Sequence, residues 1–395
     1  MRNILDEIKV SVVVPIYNAQ TYLADTIQSI RQQTLQKIEI ICVDDGSTDD
    51  SVQIIQEQMS EDSRIKLIRQ KNLYAGVARN HGLSEAAGEY VIFWDADDLF
   101  HPDALKKMYE KAKEHDADVC VCAGQKLMAD SGKYVLTDAY LQKKWLPEKE
   151  VFSKADMPEH IFAFATNVPW NKLYKRAFVL EHQLKFQNLR QANDTYFVIL
   201  SLFFAERIVT IEDRLITYRS NNSASLTGHA SDTQYCAYDS YKATWDTLKE
   251  QEEFELVKKC FQNRFVGGMI YALGIQSRLD KYELLYDRIR QEGLKEFEID
   301  QMQRDDFIFK WHYDACQHIR EWSYDEYLMW DLRRLNRNRE MKNADLEQAK
   351  LKNRQLNAQI KQLKAELRKA NINLNRKCVR AVTKVVDVLT LKKKQ

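Results

Sequence analysis

Two groups of carboxylates stand directly behind apolar runs. Asp44 and Asp45 follow Ile38–Val43, and Asp95, Asp97 and Asp98 follow Tyr90–Trp94. Several acids this close repel one another, and a bound cation or a donor-rich ligand relieves that repulsion. In Asp95-Ala96-Asp97 the side chains at i and i+2 converge on one ion if the backbone turns there. Oxygen-only donors suit Mg or Mn rather than Zn. The plainer reading is helix capping, with Asp98 ahead of Pro102, but it does not explain an acidic cluster that continues an apolar strand. Anionic phosphates do not rest on bare carboxylates, so a bridging divalent cation is the natural partner of an anionic ligand here.

The elements that must hold these acids follow from hydrophobic patterning. Val10-Ser11-Val12-Val13-Val14, Ile38–Val43, Arg64–Arg69, Tyr90–Trp94 and Ala117–Ala123 read as strands. Thr21–Gln33, Ser51–Met59, Ala75–Ala87 and Pro102–Glu114 read as the helices between them. This alternation predicts an α/β domain with a mostly parallel central sheet. Such sheets bind ligands beyond the carboxyl ends of their strands, where both acidic groups fall. Neither a Gly-x-Gly-x-x-Gly turn nor a Gly-Lys-Ser/Thr loop is present, which disfavours a nicotinamide dehydrogenase or a P-loop ATPase.

The chain has 395 residues with a formal net charge of +1. That balance hides an acidic body and a basic end. Residues 1–330 carry 40 Lys and Arg against 52 Asp and Glu, whereas residues 331–395 carry 19 against 6. Such an end seeks nucleic acid, anionic lipid or an acidic partner. Residues 376–395 contain no aromatic side chain for base stacking, so nucleic acid is not expected. No apolar stretch reaches 18 residues and the first residues lack a secretory h-region, so neither a spanning helix nor export is expected. The seven cysteines include no Cys-x2-Cys pair; with the rest, they point to a reducing, cytoplasmic setting.

Four segments then carry a resemblance. They are Val12-Val13-Val14-Pro15-Ile16-Tyr17-Asn18, Val43-Asp44-Asp45-Gly46-Ser47-Thr48-Asp49, Ala78-Arg79-Asn80-His81-Gly82 and Phe93-Trp94-Asp95-Ala96-Asp97-Asp98. In this order and spacing the chain resembles the bacterial family 2 glycosyltransferases of GT-A fold, over residues 9–225. The resemblance implies an inverting transferase that moves a sugar from a nucleotide-sugar, UDP-linked by preference, to a hydroxyl of a glycan, lipid-linked or wall-polymer acceptor. It places Pro15, Tyr17, Asn18, Asp44, Asp45, Arg79, Asp95 and Arg219 around the nucleotide and its phosphates. Asp97, with Asp95 and His229, would hold Mn or Mg. Asp194, in Gln191-Ala192-Asn193-Asp194-Thr195, matches the family's general base, and it also stands where an N-cap would stand. Asn193 occupies a position where Glu is usual, which keeps a catalytically inactive scaffold in view as the alternative. Trp170, Asn171 and Asn193 are the residues expected at the acceptor.

The implied organisation is a GT-A domain over 1–230, a helical extension over 231–330, a coiled coil over 331–375 and a basic amphipathic tail over 376–395. Heptad spacing from Leu332 to Leu374, broken at Arg339 and Lys342, predicts a homodimer, with a trimer as the alternative. In the tail, seven Lys or Arg interleave with Val and Leu, a pattern suited to an anionic membrane surface. The expected location is therefore peripheral, at the inner face of the cell membrane.

Overall fold

A computed structural model of the chain describes residues 8–220 and 233–370. It divides into two compact units, Met1–Arg320 and Glu321–Gln395.

The first unit begins as the patterning predicts. β1 (Val10–Ile16), α1 (Leu23–Arg31), β2 (Ile38–Asp44), α2 (Ser51–Glu61), β3 (Ile65–Arg69), α3 (Tyr74–Glu85) and β4 (Tyr90–Phe93) alternate. β1 lies parallel to β2 and β4, and β2 parallel to β3. Every residue of β1 and β2 is buried, as expected of strands covered on both faces. Gly82 permits that cover to sit close: a Cβ there would come within 2.4 Å of Val13 Cγ1.

The sheet then departs from the expected form. After β5 (Leu99–Phe100), α4 (Ala104–Glu114), β6 (Val119–Met128) and β7 (Lys133–Leu136) comes β8 (Lys172–Lys175), followed by α5 (Arg176–Glu181), α6 (Thr195–Phe204) and β9 (Ile208–Ser220). The strand order is β3-β2-β1-β4-β8-β6-β9-β5, with β7 on β6. β4–β8, β5–β9, β6–β7 and β6–β8 are antiparallel; β6–β9 is parallel, with register shifts around Ala123. The sheet is therefore mixed, not mostly parallel. The reason lies in β8, a four-residue strand that enters between β4 and β6 after a long irregular connection. Its Lys-Leu-Tyr-Lys sequence has too little apolar pattern to announce a buried strand.

Helices α7 (Cys236–Lys249), α8 (Phe254–Gly274), α9 (Leu279–Arg288), the short α10 (Leu294–Glu296) and α11 (Lys310–Glu321) complete the unit. Trp245, Phe254, Phe261, Phe265 and Phe297 form its aromatic core. α7 and α8 approach closely at Gly268, where a Cβ would lie 2.5 Å from the Tyr241 ring.

The second unit contains one long helix, α12 (Tyr324–Ala370). Ser323 starts it, its backbone N–H and hydroxyl both donating to Glu326 Oε2 at 2.9 Å. Among the described residues no coiled coil is evident, which corrects the expected fold. Along α12 Leu332, Leu335, Leu356 and Leu363 are exposed, and the heptad pattern is broken at Arg339 and Lys342. Leu374 and the tail 376–395 lie outside the described residues. Among those described, no helix is long and apolar enough to cross a membrane.

Two glycine substitutions test the packing. Gly82→Ala forces a methyl into Val13 and should lower the unfolding free energy by about 1–3 kcal/mol. Gly274→Ala adds a methyl that meets nothing within 4 Å, and should be neutral or stabilising by up to about 1 kcal/mol. Urea midpoints of the two variants check both.

Candidate active site

The acidic groups meet at the carboxyl ends of β1, β2 and β4. Asp44 and Asp45 are buried and their backbones continue the sheet: Asp45 N–H donates to Ile16 O at 2.8 Å, and Gln70 N–H to Asp44 O at 2.9 Å. Asp44 Oδ1 accepts from Ser47 N–H at 3.0 Å. Asp45 Oδ1 accepts from Gln70 Nε2 at 2.7 Å and from Leu73 N–H at 2.9 Å. Beside them Asn18, at φ +49°, ties the loop after β1 to the loop after β2. Its N–H donates to Ser47 Oγ and its Oδ1 accepts from Thr48 N–H. Pro15 pairs in register with Val43 inside the sheet, while Tyr17 is exposed.

The Ala78–Gly82 segment of α3 links these loops to the second half of the fold. Arg79 is buried, and its guanidinium donates to Asp95 Oδ1 at 2.7 Å and to Asn193 Oδ1 at 2.8 Å. It also lies over the Phe186 ring at 5.3 Å. Asn80 holds the backbone of Phe186 twice, donating to its carbonyl and accepting from its N–H, both at 2.8 Å. His81 Nδ1 contacts Gln70 Oε1, the same glutamine that binds Asp45. A cationic fork between two acceptors makes strong, directional bonds.

Asn193 becomes intelligible from this arrangement. Its Oδ1 accepts from Arg79 while its Nδ2 donates to Leu189 O at 3.2 Å. A glutamate has no donor for that carbonyl when ionised. Asp194 follows at the start of α6, half-buried and without a side-chain cap bond to the helix. Burial raises its carboxyl above the usual range; Arg79 and Lys172 act in the opposite direction, and Asp95 adds to the rise.

Asp95 is partly exposed, and Asp98 is buried. Asp98 Oδ1 accepts from Arg219 N–H at 2.9 Å, while its Oδ2 is buried with no partner. Burial, then the Asp97 and Asp95 charges, push the Asp98 carboxyl well above its ordinary range. The neighbouring acids offer oxygen donors only, but among the described residues no group of three or more His, Cys, Asp or Glu is placed to hold a metal ion. The Arg219 side chain donates to Asp25 at 3.2 Å and covers Tyr22 at 4.6 Å. His229 lies outside the described residues.

Two residues expected at the acceptor lie within the protein's packing. Trp170 is buried, stacked on Tyr218 at 6.0 Å and edge-on to Tyr140 at 4.7 Å. Asn171 is fully buried, donating to Cys122 O and Tyr140 O and accepting from Lys172 Nζ. Lys172, one residue on, carries no signal in the sequence, because a lysine in so weakly patterned a segment looks like a surface residue. It is fully buried, and its ammonium donates to Thr166 O, Val168 O and Asn171 Oδ1 at 2.8–2.9 Å. Burial, then the Arg264 charge, pull it down to about 7.

Comparison with known proteins agrees with this geometry. The model of glycosyl transferase family 2 matches residues 11–181. EpsH of Bacillus subtilis (strain 168) is 32% identical over 288 residues, covering 72% of this chain and 82% of EpsH. The chain belongs to glycosyl transferase family 2. Glycosyltransferase GlyG of Streptococcus pneumoniae serotype 4 is 33% identical over 220 residues, 55% of this transferase and 72% of GlyG. A crystal structure of S. aureus TarS 1-349 in complex with UDP-GlcNAc has a TM-score of 0.64 at 20% identity, covering 81% of this chain and 89% of that one. It shares the fold.

Replacing Arg79 by Met removes the bridge and the cation that lowers Asp194. We expect a loss of about 2 kcal/mol in unfolding free energy, the scale of a charged hydrogen bond. The Asp194 carboxyl should also titrate at higher pH, as read by NMR, because it loses the cation that lowers it.

Proposed function

We propose that this transferase moves a sugar from a UDP-linked donor to a hydroxyl of a glycan, lipid-linked or wall-polymer acceptor, with inversion at the anomeric carbon. One observation carries the reading. Asp194 has an uncapped carboxylate, and its neighbour Asn193 is joined through Arg79 to Asp95. A carboxylate that spends no bond on its own helix is available to a proton in the site. The TarS crystal, of like fold, is named for its complex with UDP-GlcNAc, which supports a UDP-sugar as donor.

In this reading the loops of Tyr17, Asn18, Asp44 and Asp45 receive the nucleoside. Arg79 holds one oxygen of Asp95, so that its second oxygen is available to ribose or to a metal shell. Asp95 and Asp97 would hold Mn or Mg, which supplies positive charge for the diphosphate when bound. Arg219 is a candidate for the phosphates.

Asp194 accepts the acceptor's hydroxyl proton as that oxygen bonds to the anomeric carbon. The anomeric carbon–oxygen bond to the diphosphate breaks, and its electron pair leaves with the phosphate. A raised carboxyl pKa strengthens the base. Because the base form is required, activity should fall as pH drops through the raised pKa, above the ordinary aspartate value of about 3.9. The segment 376–395 would hold the enzyme at an anionic inner membrane surface.

Donor binding and turnover separate the roles. Asp194→Asn should bind UDP-sugar as the parent does and lose transfer by about 10²–10⁴-fold. Asp97→Ala should lose the metal-dependent part of donor binding, measured by calorimetry with Mn, Mg or chelator. Full transfer by Asp194→Asn would rule out the assigned base.

A further inference from the structure

Resting on the transferase reading above, we propose that Arg264 of α8 reads an anionic, phosphate-bearing group on the acceptor. The inference comes from a string of contacts that runs out of the Asp194 loop into the helical region. Gln187 N–H donates to Asn193 O at 3.1 Å, and the Gln187 side chain accepts from Ser240 Oγ of α7. The next residue of α7, Tyr241, receives a bond on its hydroxyl from Asn167 Nδ2 at 3.3 Å. Asn167 Oδ1 accepts from Arg264 Nε at 3.1 Å. From the other side, Lys172 Nζ holds the two carbonyls that flank Asn167, those of Thr166 and Val168.

This places two cations against one short loop beside the base. No salt bridge to a carboxylate joins either of them among the described residues. Lys172 is sealed, and its three protons are all taken by neutral oxygens. Arg264 is different: it is partly exposed, and its side-chain partners are neutral, the amide of Asn167 and the hydroxyl of Tyr241. A guanidinium has five donors in a planar fork that matches phosphate oxygens, so most of Arg264's donors remain for a ligand. Gly268, one turn along α8, lets the Tyr241 ring lie against the helix, which fixes the hydroxyl that orients Asn167. An arginine oriented by an amide and left without a counter-charge near a general base is suited to an acceptor that brings its own negative charge.

The phosphate has two sources, a polyol-phosphate polymer or the diphosphate of a lipid-linked saccharide. The test uses the full chain, its Arg264→Gln and Arg264→Lys variants, and three probes: a soluble polyol-phosphate oligomer, a short-chain polyprenyl-diphosphate saccharide and a neutral oligosaccharide. Binding is measured by calorimetry at two salt concentrations, and slow UDP-sugar hydrolysis is followed in parallel. We expect one phosphate-bearing probe to bind in a salt-dependent manner. Arg264→Gln should weaken it roughly tenfold or more, with Arg264→Lys in between, and leave hydrolysis and thermal unfolding unchanged. The probe that responds identifies the source. Equal binding by parent and Arg264→Gln, equal loss for the neutral probe, or no binding of either phosphate probe would overturn the proposal. Absence of donor hydrolysis in the parent would instead count against the transferase reading itself.

Discussion

The Arg79 guanidinium is the constraint on which the rest of the site depends. It is buried, and it joins Asp95, at the end of β4, to Asn193, at the start of α6. A buried cation without partners is costly, so both bonds must form together with the fold. Once they do, the donor-side acids and the proposed base are set in one frame although 98 residues separate the two bonded residues. Asn80 and Gly76 reinforce the frame. The first clamps Phe186, and the second leaves room for Gln187 O, which a Cβ would approach to 2.1 Å.

Much of this was legible in the residues. Strands β1, β2 and β4 follow from largely apolar runs, and the two acidic groups stand at the carboxyl ends of β2 and β4. The mixed second half was not legible, because β8 is four residues long and carries lysine at both ends. Its inward Lys172 is stabilised by carbonyls distant from any sequence pattern. Asn171 and Trp170 suit a sugar by type, and buried carbonyls and rings satisfy the same chemistry here. The heptads show a related limit. Spacing reports a possible stripe on a helix, and only a second helix makes it a seam.

Asn193 shows how a departure from a family pattern acquires a physical meaning. An amide there accepts from Arg79 and donates to Leu189 O, two bonds that an ionised carboxylate cannot make at once. It also places one negative charge fewer beside Asp194. The Asp194 carboxyl is then governed by burial, by Arg79 and Lys172 on one side and by Asp95 on the other. The site is thus electrostatically coupled across the two halves of the fold, and into the helical region through Asn167 and Tyr241.

A double-mutant cycle tests that central claim most directly. Unfolding free energies of Asp95→Asn, Asn193→Ala and the double variant would be measured by urea denaturation, in the parent and in an Arg79→Met background. If one guanidinium joins the two residues, they should couple by more than about 0.5 kcal/mol in the parent and not at all without Arg79. Additive effects in the parent would contradict the account.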